Sequence, residues 1–178
     1  MDMATGPDKN RQVEALFRRY GPLVYRRALK ILGEPSQAED ATQEIFIRVV
    51  NGLETFDGRS KLSTWLFQIT TNHCLNQIRN RSRRRELWRD EVVPPAQQKG
   101  GESHNAQSVL LRQLLGQAEP ELAEAAVCIF LEGMTGAEAA SALNVSRRTV
   151  INRVERFKAW AKSFLTQDQE PRPPPDTS

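Results

Sequence analysis

The sequence predicts an all-α protein of two small helical domains joined by a flexible linker, and three observations support this. Apolar residues recur at helical spacing through most of the chain, and no strand-like alternation of useful length is found. A polar stretch containing Pro and Gly, residues 90–107, separates two helical blocks. A helix-turn-helix pattern occupies residues 135–157. We expect domains at 10–89 and 108–165, and a disordered Pro-rich tail at 166–178.

Three helices are predicted in the first domain. The first runs from about residue 11 to residue 32, and Gly33 ends it. The second is expected to start at a capping box formed by Ser36 and Glu39. A long third helix runs over about 62–87, after a loop whose residues are typical of turns.

The helix-turn-helix pattern is defined by its capping residues. Thr135 and Glu138 have the spacing of a capping box, which starts the first helix. Asn144 can adopt the left-handed conformation that a tight turn requires. Ser146 can cap the second helix, which has one apolar face made of Val145, Val150, Val154 and Phe157.

The opposite face of that second helix carries candidate DNA contacts. Arg148, Arg153 and Arg156 can each pair with guanine or with a phosphate. Asn152 can pair with adenine, while Thr149 fits a phosphate contact or a capping role. We therefore expect this helix to enter a DNA major groove.

A second candidate nucleic-acid surface lies on the long third helix. Polar residues Gln68, Asn72, His73 and Asn76 share a stretch that ends in the arginine-rich segment 79–89. Such a polar face beside a cationic helix end can hold a single strand.

Charge is distributed unevenly, although the net charge is only +3. Residues 34–44 are acidic, whereas 79–89 and 147–162 are mostly basic. One acidic and two basic patches suggest one protein partner and two nucleic-acid contacts.

Composition narrows the class of protein. A hydrophobic content of 39% and a charged content of 26% are typical of a soluble globular chain. No apolar run reaches the length of a membrane span and no secretion pattern opens the chain, so we expect a cytoplasmic location without membrane insertion. Cys74 and Cys128 lie in apolar helical patterns and are expected to be buried free thiols. No metal or other cofactor is expected.

Three segments together resemble a known family. The segments are AEDATQEIF at 38–46, FDGRS at 56–60 and TWLFQITTN at 64–72, and they closely resemble region 2 of sigma-70 family factors, especially the extracytoplasmic-function (ECF) group. Residues 133–154 resemble region 4 of the same group, and the resemblance covers about 11–165 in the family's order.

The resemblance implies an alternative sigma factor that is not an enzyme. It binds core RNA polymerase and directs promoter-specific initiation, including promoter melting. The helix with Asp40, Gln43, Glu44 and Phe46 would dock on the β′ clamp helices. Region 4 would contact the β flap, and the resemblance implies a further partner, an anti-sigma factor, which in this family is often linked to the membrane.

The resemblance also assigns the two promoter elements. The minus-ten element would be recognised and melted by a loop and a helix face, through Phe56, Arg59, Lys61, Asn72, Asn76, Arg79 and Arg83. The minus-thirty-five duplex would be read by the helix that begins at Arg147. Ile151 stands where the family usually has Lys or another polar residue.

Two other classes of function remain open on the sequence. A conventional DNA-binding repressor or activator would use the helix-turn-helix together with a helical dimerisation domain. An enzyme acting on nucleic acid would need a catalytic motif, and neither a phosphate-binding glycine loop nor a nucleophile motif is found. Glu39, Asp40 and Glu44 could in principle bind magnesium, but capping and docking explain them more simply.

Overall fold

The computed structural model describes residues 7–53, 61–87 and 106–167, and within those ranges all of the regular structure is helical. The helices are α1 (Pro7–Leu32), α2 (Pro35–Gly52), α3 (Leu62–Leu87), α4 (Ala106–Gln117), α5 (Pro120–Ala126), α6 (Gly136–Leu143) and α7 (Arg147–Gln167). A π-helical turn, Val127–Leu131, continues α5. The predicted all-α fold class is therefore confirmed for the described part of the chain.

The turn between α1 and α2 is made by Gly33, as predicted. Its φ is +81°, and its N–H donates to the carbonyl of Leu29 over 2.8 Å. The predicted capping box of Ser36 and Glu39 is wrong, because α2 begins at Pro35 with Glu34 in the N-cap position, two residues earlier than a cap at Ser36 would require. Proline suits this first position, where its missing N–H would have no partner within the helix. The Ser36 hydroxyl donates instead to a carboxylate oxygen of Glu34, 3.0 Å away.

The helices α1, α2 and α3 pack around a common apolar centre. The largest fully buried side chains there include Ile31, Ile45, Leu66 and Leu75. Because α2 buries one face against α1 and α3, its opposite face is left for contacts outside this core.

Helix α4 lies against α3 and the end of α1. Gly116 packs so closely on α3 that a Cβ atom added to it would lie 2.6 Å from Ser82 Oγ. Arg112 Nε donates to the carbonyl of Ile31 over 3.0 Å, and Nη2 donates to that of Lys30 over 3.3 Å. A cation from α4 thus satisfies carbonyl groups at the C-terminus of α1.

The two helical blocks share one hydrophobic core. Leu115, Leu122 and Phe157 of the second block join the buried residues of α1, α2 and α3. A smaller cluster holds the helix-turn-helix together and includes Ala139, Val150 and Val154. Most of the predicted linker and tail lies outside the described residues, so the division into domains stays a prediction.

The helix-turn-helix forms as its capping residues predict. Thr135 Oγ1 accepts from the N–H of Glu138, and the Glu138 carboxylate accepts from the N–H of Thr135 over 2.8 Å. Asn144 has a φ of 54°, in the left-handed region. Ser146 Oγ accepts from the N–H of Thr149 over 3.0 Å and so caps α7.

Both cysteines are buried free thiols, as predicted. Burial raises the pKa of Cys74 to about 12 and that of Cys128 to about 11. These thiols therefore stay protonated and unreactive at neutral pH.

Candidate protein and nucleic-acid interfaces

The exposed face of α2 carries the predicted docking residues Asp40, Gln43 and Glu44. Ile47 lies one turn after Gln43 and is 62% exposed. The sequence analysis missed Ile47, although its position outside the buried stripe of α2 could have revealed it. Ile47 therefore adds an apolar side chain to the exposed face that carries Asp40, Gln43 and Glu44.

Phe46 was predicted to dock as well, but the structure places it in the core. It is 5% exposed, and its ring packs edge-on against Phe17 with a centroid distance of 4.8 Å. Because α2 turns this side chain inward, Phe46 holds the helix in position and presents nothing to a partner.

His73 connects the docking face to α3. Its Nε2 lies 3.7 Å from a carboxylate oxygen of Glu44. Burial lowers the pKa of His73 below its usual 6.5, Arg48 lowers it further and Glu44 opposes both. The ring is therefore mainly neutral at pH 7.

The polar face of α3 forms as predicted over part of its length. Asn72, Asn76 and Arg83 are exposed, as is Lys61 just before the helix. Their spacing of four and seven residues along α3 places the three helical residues on one side. Phe56 and Arg59, the other predicted minus-ten residues, lie outside the described residues.

Arg79 belongs to this face but is half-buried. Its Nη1 donates to Asn76 Oδ1 over 3.1 Å. Burial lowers the pKa of Arg79, while nearby Glu124 of α5 raises it and Arg83 lowers it. The second helical block therefore covers part of the arginine that was predicted to meet the minus-ten strand.

The outward face of α7 presents Arg147, Arg148 and Asn152, all exposed. Ile151 lies between the last two and is 49% exposed. For Thr149 a phosphate contact and a capping role were both considered. The structure favours the capping role, since the Thr149 hydroxyl is 2.8 Å from Ser146 Oγ.

Arg153 and Arg156, farther along α7, both form ion pairs with glutamates at the start of α5. Arg153 Nη2 pairs with Glu121 over 2.8 Å and the side chain is mostly buried, so the prediction that it contacts DNA directly is corrected. Arg156 pairs with Glu119 over 3.1 Å but remains exposed. Both acidic partners lie at the start of α5, where the positive end of the helix dipole stabilises their negative charges.

A buried ion pair joins the two helical blocks and was missed by the sequence analysis. Arg27 Nη1 lies 3.7 Å from Glu132 Oε1, and Lys30 Nζ lies 3.3 Å from Glu132 Oε2. Arg27 also donates to Thr71 Oγ1 over 3.0 Å and stacks on the ring of Phe67. These contacts fasten α1 to α3 and to the segment before α6.

Membrane-spanning and metal-binding features were also sought in the described ranges. None of their helices is long and apolar enough to cross a bilayer. The same residues contain no group of three or more His, Cys, Asp or Glu side chains placed to hold a metal ion.

Comparison with known proteins identifies the first three helices. Residues 16–84 match the Sigma-70 region 2 family. The chain is 33% identical over 164 residues to the ECF RNA polymerase sigma factor SigE of Mycolicibacterium smegmatis, which covers 86% of this chain and 62% of the relative. It is 39% identical over 62 residues to the ECF RNA polymerase sigma factor SigW of Bacillus subtilis, which covers 35% of this chain and 33% of that relative. The chain thus spans less than two thirds of the length of these relatives.

This chain covers a larger share of a third relative. The RNA polymerase sigma factor CnrH of Cupriavidus metallidurans is 28% identical over 171 residues, which cover 86% of this chain and 90% of CnrH. Among solved structures, the sigma factor RpoE of Bartonella quintana, in complex with the anti-sigma factor NepR, superposes with a TM-score of 0.52. That match has 21% identity and covers 89% of this chain and 99% of RpoE, so it supports the fold alone.

The region 2 match falls on α1, α2 and α3, and the relatives extend the likeness through the helix-turn-helix. The chain is therefore similar to Sigma-70 region 2 over residues 16–84 and, over 86% of its length, to an ECF RNA polymerase sigma factor.

Proposed function

We propose that this chain is an alternative sigma factor of the ECF type, which binds core RNA polymerase and directs promoter-specific initiation, including promoter melting. The observation that carries the proposal is the exposed face of α2, on a domain that matches Sigma-70 region 2. Binding and strand opening are its whole contribution, and it performs no covalent chemistry.

Apart from the approach of Glu44 to His73 at 3.7 Å, the described residues give the exposed face of α2 no evident task within the fold. The helix dipole acts within the first turn of a helix, and α2 has no acidic residue there, so the dipole accounts for neither Asp40 nor Glu44. It does not account for Ile47 either, which is 62% exposed. Burying an isoleucine side chain in an interface contributes roughly 1.5–3 kcal/mol, and flanking polar groups give orientation. The proposed partner of this face is the pair of β′ clamp helices.

The two DNA surfaces lie on different helices. The polar side of α3, with Asn72 and Asn76 exposed, would hold the melted minus-ten strand. The outward face of α7, with Arg148 and Asn152, would read the minus-thirty-five duplex. Neither small surface alone is expected to bind DNA tightly, because avidity requires a scaffold that fixes their spacing. Core polymerase is the proposed scaffold, and it would meet the second helical block through the β flap.

An anti-sigma factor is the proposed regulator. The structurally similar sigma factor RpoE was solved in complex with the anti-sigma factor NepR. A partner of that kind would hold this chain away from polymerase, at the membrane if the partner is anchored there, and the chain itself would work in the cytoplasm.

The proposal is tested by titrating the fluorescently labelled protein with bacterial core RNA polymerase and measuring anisotropy. Asp40→Ala combined with Gln43→Ala should weaken binding about tenfold, since truncating central interface residues costs about 1–2 kcal/mol in total. Glu14→Ala is the matched control, because it also removes one exposed negative charge but lies on α1.

Equal affinities for the double variant and the Glu14→Ala control would refute the α2 docking face. A wild-type protein that ignores core polymerase, runs as a dimer and binds duplex DNA tightly would instead establish a conventional repressor or activator.

A further inference from the structure

An apolar side chain occupies the middle of the surface that α7 offers to DNA. Ile151 is 49% exposed, and it belongs neither to the two hydrophobic cores nor to the side chains packed against them among the described residues. Its neighbours on the same face, Arg148 and Asn152, are both exposed and polar. The packing of the described residues therefore does not require an isoleucine at this position.

The direction of Ile151 is set by the buried side of α7. Val150, Val154 and Phe157 are 1%, 7% and 3% exposed, so the helix cannot rotate about its axis without exposing them. Residues three and four apart share a helix face, which places Arg148, Ile151 and Asn152 together on the side away from the core. Ile151 is also the fifth residue of α7 and so lies near its N-terminal end. In a recognition helix, the residues near the N-terminal end contact base edges.

The chemistry of the major groove then limits what Ile151 can contact. In the major groove every base pair presents polar hydrogen-bonding groups, and the 5-methyl group of thymine is the apolar exception. An isoleucine placed against a polar edge would remove water from that edge without replacing its hydrogen bonds.

We infer that Ile151 is a specificity-determining residue that reads the methyl group of one thymine in the minus-thirty-five element. This inference rests on the proposed function, in which α7 reads that element as duplex DNA. The flanking Arg148 and Asn152 supply hydrogen bonds to neighbouring base pairs, while Ile151 selects an A·T pair through apolar contact.

The test uses the complete holoenzyme, assembled from core polymerase and the full chain. A promoter probe is first selected from a randomised duplex library by the wild-type holoenzyme. Each thymine of the upstream element is then replaced singly by deoxyuridine, which removes only the methyl group. Affinities are measured for the wild type, Ile151→Ala, Ile151→Val and the control Val109→Ala, whose residue is an exposed apolar side chain of α4.

The wild-type holoenzyme should lose about fourfold in affinity at one deoxyuridine position, which corresponds to one buried methyl group. Ile151→Ala should lose that discrimination at the same position and keep it elsewhere. Ile151→Val should retain most of it, and Val109→Ala should behave as the wild type. This pattern would support the inference because it couples one side chain to one methyl group.

Four results would overturn the inference. An upstream element without any deoxyuridine penalty, or with equal penalties in the wild type and Ile151→Ala, would refute the reading of a methyl group while leaving the proposed function intact. Failure of Ile151→Ala to assemble with core polymerase would make Ile151 a polymerase contact. Selection of no upstream element would refute both the inference and the proposed role of α7.

Discussion

Replacement of Glu132 by alanine should loosen the packing of α1 against the second helical block. Glu132 Oε1 lies 3.7 Å from Arg27 Nη1, and Oε2 lies 3.3 Å from Lys30 Nζ. The Arg27 and Glu132 side chains are only 8% and 14% exposed, so neither charge is well screened by water. After the substitution, Arg27 would keep its buried position without its closest counter-charge.

The size of the effect follows from this geometry. At the 3.7 Å separation of Arg27 and Glu132, and at an effective dielectric constant of about 20, the attraction is about 4.5 kcal/mol. Removing Glu132 also removes the cost of dehydrating its carboxylate, which offsets part of that loss. Burial lowers the pKa of Arg27 to about 10 although Glu132 raises it, so the remaining arginine is poorly solvated. We expect a loss of about 3 kcal/mol in the free energy of unfolding.

The assay is urea unfolding followed by circular dichroism at helical wavelengths, with Glu155→Ala as control. Glu155 pairs with Lys158 over 2.9 Å, but both side chains are more than half exposed. That pair should contribute less than about 1 kcal/mol. If Glu132→Ala and Glu155→Ala had the same unfolding free energy within about 0.5 kcal/mol, the assignment of Glu132 as a buried link between the blocks would be refuted.

Three further predictions concern the capping box, the buried histidine and the melting face. Thr135→Ala removes the side-chain cap of α6 and should cost about 1 kcal/mol in urea unfolding; a cost equal to that of Thr166→Ala, at the exposed end of α7, would contradict the cap's role. Burial lowers the pKa of His73, so the folded state prefers the neutral ring. Stability from His73 is therefore present above pH 6.5 and lost as pH falls below it; a His73→Gln variant should show less of this loss, and an unchanged slope would count against it. Asn72→Ala should impair promoter opening more than duplex binding, whereas Gln107→Ala on α4 should impair neither; normal permanganate reactivity of the melted bases with Asn72→Ala would exclude its proposed role.

Local signals in the sequence predicted the helix-turn-helix correctly. Thr135 with Glu138, Asn144 and Ser146 each act on a backbone group within four residues, so their chemistry needs no knowledge of the rest of the fold. The start of α2 was misassigned for a related reason. Two local signals competed there, and Pro35 at the first helical position prevailed over Ser36 as a cap.

Contacts between distant segments could not be predicted in this way. Lys30 and Glu132 are 102 residues apart, and nothing in either local pattern indicates that they pair. The inward rotation of Phe46 and the pairing of Arg153 with Glu121 also depend on how whole helices pack. A family resemblance assigns such residues to a surface without showing which side chains reach it.

The exposed isoleucines show a signal that the sequence did contain. Ile47 on α2 and Ile151 on α7 both interrupt an otherwise polar helix face. Helical periodicity alone places both of them outside the buried stripe of their helices.

In the proposed function, this chain gives core RNA polymerase the ability to start at a specific promoter. Reconstituted transcription tests this most directly, from a template carrying the promoter selected by the holoenzyme, with core polymerase and the purified chain added separately and together. We expect one discrete transcript that needs both components and is strongly reduced by Asp40→Ala with Gln43→Ala. A chain that binds the template tightly by itself, and yields no transcript with core polymerase, would refute the proposed function.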